Sequence, residues 1–239
     1  MTLASMDREG AEVPVAAHLL KPAGDGPFAA VVMLHGAIGG LLSGYICVAE
    51  RMVGWGYVVL AIDSNSAASR NRLQSLGSYL DTEQAQDAHQ GRNFLTTLPY
   101  VDAERVALVG WSAGGQAALA ALSDHRSFHD GKWFSVDKAG RFAAAVALYP
   151  VCYPRLENLQ APLLILIGAN DQTVSARYCQ FMSKNVGRGH GPKGHEIELK
   201  IYPDARHGFD GPLSGWQRRD ETAADARLRI RAFLAQHLR

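Results

Sequence analysis

The sequence predicts an α/β fold: a mostly parallel central sheet with helices on both faces. Three observations carry this expectation. Short β-type runs alternate with longer helical stretches from residue 13 onward, and repeated strand–helix units build parallel sheets. Several runs are apolar at every position, as in Ala29-Ala30-Val31-Val32-Met33-Leu34, which suits a strand buried on both faces. The 239 residues are 47% apolar and 20% charged, a globular balance that can bury a core without staples. No repeat or linker divides the chain, so a single domain over residues 1–239 is expected.

Residues 13–20 read as an early strand, and Pro14 suggests an edge position because proline cannot donate to a ladder. Residues 29–34 are the first core strand, 43–54 a helix, and 57–62 the next strand, ending at Asp63. Residues 82–98 form a long helical segment stopped by Pro99. Residues 105–109 are a strand that runs straight into a helix reaching about Leu122. Strands at 142–148, 162–167 and 196–202 follow, with a helix over 174–186. Residues 223–238 close the chain as an amphipathic helix with Ala223, Ala226, Ile230, Phe233 and Leu234 on one face. The stretches 64–80 and 123–140 break the rhythm; His125, Phe128, His129, Trp133 and Phe134 either wall a pocket or pack on the sheet edge. The glycine-rich stretch 187–194 reads as a surface loop.

A formal net charge of +1 gives no bulk attraction to nucleic acid or to an anionic membrane. No apolar run approaches the roughly 18 residues of a membrane span. The first ten residues carry Asp7, Arg8 and Glu9 and no basic start before an apolar stretch. A cytoplasmic protein is therefore expected, with a trimmed secreted chain as the alternative. Cys47, Cys152 and Cys179 are too few and too scattered for a disulfide framework or a zinc site; they read as small apolar fillers, with one bridge still open. No metal or cofactor is expected.

The chemistry concentrates at Gly110-Trp111-Ser112-Ala113-Gly114. Gly-x-Ser-x-Gly at a strand-to-helix turn is a nucleophile elbow, in which a strained serine projects its hydroxyl at a helix N-terminus. The glycines sit where a Cβ would meet neighbouring backbone. The alternative is an ordinary glycine-rich turn, against which the context counts: an apolar strand before, small residues after, and partners in the right order. A serine hydroxyl needs a base, and the base needs an orienting carboxylate. The strand at 162–167 leads into Gly168-Ala169-Asn170-Asp171, and that at 196–202 into Pro203-Asp204-Ala205-Arg206-His207. Ser112, Asp171 and His207 thus follow the order serine, acid, histidine, each just past the carboxyl end of a strand, where open parallel sheets place ligands.

The other eight histidines lie in an early strand (His18), in helices (His89, His237), in the 187–194 loop or beside it (His190, His195), after the elbow helix (His125, His129), or too early in the order (His35). Asp204 and Asp210 are rival acids, but they flank His207 in sequence and read as loop-capping residues. For the oxyanion, one donor is expected from the backbone N–H of Ala113, and a second from Ala37 in His35-Gly36-Ala37-Ile38-Gly39-Gly40.

With these motifs in place the chain resembles the dienelactone hydrolase family of the α/β-hydrolase superfamily. The matching pieces are Val32-Met33-Leu34-His35-Gly36, the run from Gly56 to Ser64, Gly110-Trp111-Ser112-Ala113-Gly114-Gly115, Leu164-Ile165-Leu166-Ile167-Gly168 with Asp171, and Tyr202-Pro203 with His207-Gly208-Phe209-Asp210. They span roughly residue 29 to the C-terminus. The resemblance implies the α/β-hydrolase fold with little or no cap domain. Three departures stand out. The founding enzymes carry cysteine where this chain has Ser112, and a glutamate where it has Gly36. They also hold a substrate carboxylate with arginines, of which Arg70 matches one, while the position of the other holds Asp210 and Gly211.

The expected activity is that of a serine hydrolase acting on small-molecule carboxylic esters or lactones through an acyl-enzyme. Trp111, Ile38 and Arg70 are the expected substrate wall, although Trp111 equally suits packing under the elbow. A peptidase, thioesterase or acyltransferase using the same triad is the alternative, and a binding protein that has lost catalysis is a third. The expected partner is a small-molecule ester, without nucleic acid or membrane; monomer and homodimer are both open.

Overall fold

The computed structural model describes residues 1–7, 10–37, 42–67, 80–123, 126–129, 132–135, 140–152, 156, 158–185, 197–211 and 220–239. The strands are β1 (Thr2–Met6), β2 (Glu12–Leu20), β3 (Phe28–Leu34), β4 (Val58–Asp63), β5 (Val101–Trp111), β6 (Arg126–His129), β7 (Lys132–Ser135), β8 (Ala144–Leu148), β9 (Leu163–Gly168) and β10 (Ile197–Tyr202). The helices are α1 (Leu42–Gly54), α2 (Leu80–Thr96), α3 (Ala113–Leu122), α4 (Ala176–Asn185) and α5 (Asp220–His237).

Eight strands form one sheet in the order β1-β2-β4-β3-β5-β8-β9-β10, and β6 and β7 form a separate antiparallel pair. From β4 across to β10 every neighbouring pair is parallel. β2 runs antiparallel to both β4 and β1. The apolar runs behave as their composition requires: β8 and β9 are buried along their whole length, as is β3 after Phe28. Gly91 lets α2 lie close to this sheet, since a Cβ there would fall 2.8 Å from the Ile62 Cδ1.

Two expectations change. β2 is not an edge strand, because β1 covers it. Pro14 lies opposite Ala4 of β1 and beyond the β4 ladder, which starts at Ala16, so its missing N–H breaks nothing on that side. β1 itself alternates exposed and buried residues, but one inward position is Ser5, whose hydroxyl donates to the Asp87 carboxylate of α2. A polar residue on the buried face hides the period-2 signal. β5 also starts four residues earlier than expected, at Val101.

The cysteines are corrected in part. Cys152, after β8, is bridged to Cys179 in α4, and Cys47 is exposed and free. No helix among the described residues is long and apolar enough to cross a membrane. Ile38, Arg70 and the loop 187–194 lie outside the described residues, as do most of the stretch 64–80 and the side chains of 124–139.

Candidate active site

β5 carries the chain through the middle of the sheet to its carboxyl edge and turns directly into α3. Ser112 stands in that turn at φ 52° and ψ −112°, a region that L-residues rarely enter. The turn closes only because its neighbours lack side chains: a Cβ on Gly110 would lie 2.0 Å from the Gly114 carbonyl oxygen, and one on Gly114 2.5 Å from that of Leu34. The N–H of Ser112 donates to the Leu148 carbonyl at 2.9 Å, which fastens the turn to the end of β8.

Ser112 Oγ lies 2.9 Å from His207 Nε2, and His207 Nδ1 lies 2.8 Å from Asp171 Oδ2. The Asp171 side chain is fully buried, while 22% of the His207 side chain stays exposed. The other Asp171 oxygen accepts from the N–H groups of Thr173 and Val174, each at 2.9 Å. The aspartate therefore keeps acceptors filled on both oxygens, which holds its rotamer toward the imidazole. The acid and histidine loops are laced together as backbone: Ala169 N–H donates to Tyr202 O and Asn170 N–H to Ala205 O. Gly168 permits this approach, because a Cβ there would fall 2.2 Å from Ala205 O.

The loop after β3 passes beside the serine. A Cβ on Gly36 would sit 3.4 Å from Ser112 Cβ and 3.6 Å from the Tyr45 hydroxyl. Gly36 N–H donates to that hydroxyl at 3.3 Å. His35, nearly buried, donates from Nδ1 to Gly36 O at 2.6 Å and brings Nε2 to 3.5 Å from Asp63 Oδ1. Gln84 Nε2 donates to His35 O, so α2 helps fix the same loop. Ala37 follows as a partly buried residue, and Ala113 heads α3 beside the serine.

Of the expected substrate wall, Trp111 is 2% exposed and packs behind the turn, its Nε1–H donating to Asp210 Oδ2 at 3.0 Å and its ring 5.4 Å from that of Tyr45. Ile38 and Arg70 are outside the described residues. Asp204 is exposed. Asp210 touches its own backbone N–H, as a loop-capping residue would, but its carboxylate also reaches across the site. Its second oxygen accepts from the Tyr149 hydroxyl at 2.8 Å, and burial pushes its carboxyl above the ordinary range against the pull of both hydrogen bonds.

Tyr149 was not anticipated. It follows β8 at φ 39°, and its ring meets the His207 ring edge-on with centroids 4.8 Å apart. Burial pushes its hydroxyl well above the usual phenol range, and burial raises that of Tyr45 to about 12. Both are neutral hydrogen-bonding groups at physiological pH. The one sequence feature that marks Tyr149 is its place at the carboxyl end of a core strand, next to Pro150, and that alone assigns it no role. Among the described residues no cluster of His, Cys, Asp and Glu is arranged to hold a metal.

A mostly parallel eight-stranded sheet, with a strained serine where its central strand turns into a helix, defines the α/β-hydrolase fold. The chain belongs to the dienelactone hydrolase family, whose sequence profile matches residues 15–238. A protein from Klebsiella pneumoniae assigned to the dienelactone hydrolases superposes with a TM-score of 0.71 at 21% identity, covering 98% of this chain and 97% of that one. Esterase 2 of Thermogutta terrifontis, in its propionate-bound form, gives a TM-score of 0.69 at 18% identity over 99% of this chain and 93% of its own. At these identities the superpositions speak for the fold alone. Among curated sequences, dipeptidyl peptidase 8 of Mus musculus is 25% identical over 186 residues, 67% of this chain. The chain spans about a fifth of the length of that relative, the aligned share being 20%.

Proposed function

We propose that the protein is a serine hydrolase that cleaves carboxylic esters or lactones of small molecules through an acyl-enzyme. The observation that carries this reading is the relay from Ser112 Oγ through His207 to Asp171, with steps of 2.9 Å and 2.8 Å. Asp171 accepts a hydrogen bond from the Nδ1–H of His207, which leaves the Nε2 lone pair facing the serine. Ser112 Oγ attacks the ester carbonyl carbon as His207 Nε2 accepts its proton. The carbonyl oxygen becomes an oxyanion, held by the N–H groups of Ala113 and Ala37. Gly36 N–H is already spent on Tyr45, which supports Ala37 as the donor from that loop. Collapse breaks the C–O bond to the alcohol, which leaves with the proton from His207. Water then attacks the acyl-enzyme, His207 takes its proton, and the acid departs as Ser112 regains its hydrogen.

Two departures from the founding enzymes favour a general esterase over a dienelactone specialist. The nucleophile is serine, and Gly36 leaves open the space beside Ser112 that a glutamate would enter. Esterase 2 of Thermogutta terrifontis is known phosphonylated by cyclosarin and phosphorylated by paraoxon, so a fluorophosphonate is a fitting probe for the same chemistry here. The experiment is hydrolysis of p-nitrophenyl esters of graded acyl length, with lactones and acidic esters alongside. Ser112→Ala is expected to lower kcat by about 10⁴-fold or more and to abolish fluorophosphonate labelling while leaving the circular dichroism spectrum unchanged. Turnover by that variant at the parent rate overturns the reading.

The likeness to dipeptidyl peptidases favours a second reading, a peptidase on the same relay. Dipeptidyl p-nitroanilides hydrolysed faster than any ester in the panel would favour it. As to location, the cytoplasm expected from the N-terminus has the Cys152–Cys179 bridge against it, because disulfides persist mainly in oxidising compartments. The partner in this reading remains a small ester, with no nucleic acid or membrane involved.

A further inference from the structure

We propose that Asp210 is a positioning residue of the hydrolytic site: its carboxylate ties the segment that carries the nucleophile to the ring that backs the base. The inference rests on the esterase reading of the Ser112–His207–Asp171 relay and deepens it.

Three separate stretches of chain meet at this one side chain. Trp111, immediately before Ser112, donates its indole N–H to Oδ2. Tyr149, immediately after β8, donates its hydroxyl to Oδ1. Asp210 itself lies three residues beyond His207, in a turn closed by Gly211 N–H on Gly208 O at 2.9 Å. Leu148, the residue before Tyr149, accepts the N–H of Ser112. The position of Ser112 is thus fixed from both sides, through Trp111 and through Leu148, and the turn holding His207 is pinned to the same two neighbours. The Tyr149 ring closes the circuit by packing edge-on against the imidazole. Phe209 adds a second edge-on contact to Tyr149, with centroids 5.5 Å apart, and is itself fully buried.

Trp111 and Tyr149 are 2% and 3% exposed. Two buried donors converging from different elements are satisfied together by one carboxylate, one at each oxygen. Desolvation makes that carboxylate costly, so an apolar core would serve packing alone better. Among the described residues, the ionisable groups that act on it are Tyr149 after β8, Tyr45 from α1 and Arg227 from α5. None of these carries out a proton transfer in the proposed reaction. Asp210 therefore acts through geometry: it keeps Oγ of Ser112 and Nε2 of His207 at bonding distance, and a displacement of about 1 Å there costs about 100-fold.

The test compares Asp210→Asn, Tyr149→Phe and the double variant with the parent protein and with Ser112→Ala, on p-nitrophenyl acetate. Active sites are counted by fluorophosphonate titration, so that rates refer to folded enzyme only. Asp210→Asn keeps the size and one acceptor oxygen, but its amide faces one of the two donors. We expect kcat per titrated site to fall about ten- to a hundred-fold, with KM within about threefold and a matching fall in the phosphonylation rate. Tyr149→Phe keeps the ring and removes only the donor, so it folds even if Asp210→Asn does not; its kcat per site is expected to fall about three- to tenfold. The double variant should fall by less than the product of the two, because both act through one clamp. Parental kcat per site in Tyr149→Phe and in Asp210→Asn, with only the site count reduced, means a folding role and overturns the proposal. If the parent itself does not hydrolyse the ester, or Ser112→Ala does so equally well, the esterase reading fails instead.

Discussion

Ser112 holds a backbone conformation that costs on the order of 1–3 kcal/mol and survives only because the surroundings over-determine it. Gly110 and Gly114 make room for it, and the hydrogen bond to Leu148 holds it in place. Asp210 is costly in another way, and the cost depends on pH. Burial raises its carboxyl pKa in the folded protein. Below the ordinary carboxylate range both folded and unfolded chains carry the proton, and the contribution to stability is complete. As pH rises, the unfolded chain ionises first, so stability is lost until the folded pKa is passed. Urea unfolding of the parent and of Asp210→Asn between about pH 4 and pH 7 should therefore show the parent losing ground to the variant as pH rises; the opposite slope would contradict the assignment. Ser112, Asp171 and His207 were legible because each is tied to a strand end that composition marks. Asp210 and Tyr149 were not. Their partners are 99 and 61 residues apart in sequence, and no spacing rule connects them. Asp210 looked like a loop residue because its neighbours are a histidine turn and glycines.

Among the elements, the pairing of β9 with β10 matters most to the site. They pair in parallel from Ile197 opposite Leu163 to Tyr202 opposite Gly168, so the loops bearing Asp171 and His207 leave the sheet side by side. Contact between those loops requires a glycine at 168. Gly168→Ala places a methyl 2.2 Å from the Ala205 oxygen and 3.1 Å from the Ala205 Cβ. The expected result is a loss of about 1–3 kcal/mol in unfolding free energy together with a fall in kcat, measured by denaturant titration and ester turnover. A variant as stable and as active as the parent would show that the two loops need not touch. Most elements were readable from the sequence because full apolarity and helical periodicity are local signals. β1 was missed because Ser5 occupies a buried position and answers to Asp87, 82 residues away. Pro14 pointed to an edge for the same reason: the strand that covers it has too weak a pattern to be seen.

At the scale of the molecule, parallelism was legible and strand order was not, since the sheet begins with two antiparallel strands that alternation alone does not rank. The cysteines show the same limit, for a bridge depends on two Cα atoms meeting and their numbering says little. Cys152 and Cys179 are 27 residues apart. Closing a loop of that size stabilises a protein by about 3.5 kcal/mol through the unfolded chain. Reduction should lower the unfolding free energy by about 2–4 kcal/mol, seen as a shift of the urea midpoint once thiol titration shows the bridge open; coincident midpoints would mean that the bridge adds nothing. The enclosed stretch contains all of β9 and Asp171 itself. A protease that cut the chain once inside it would therefore release no fragment: the piece bearing the serine and the piece bearing the histidine would travel together as one covalent species, separable only after a thiol is added.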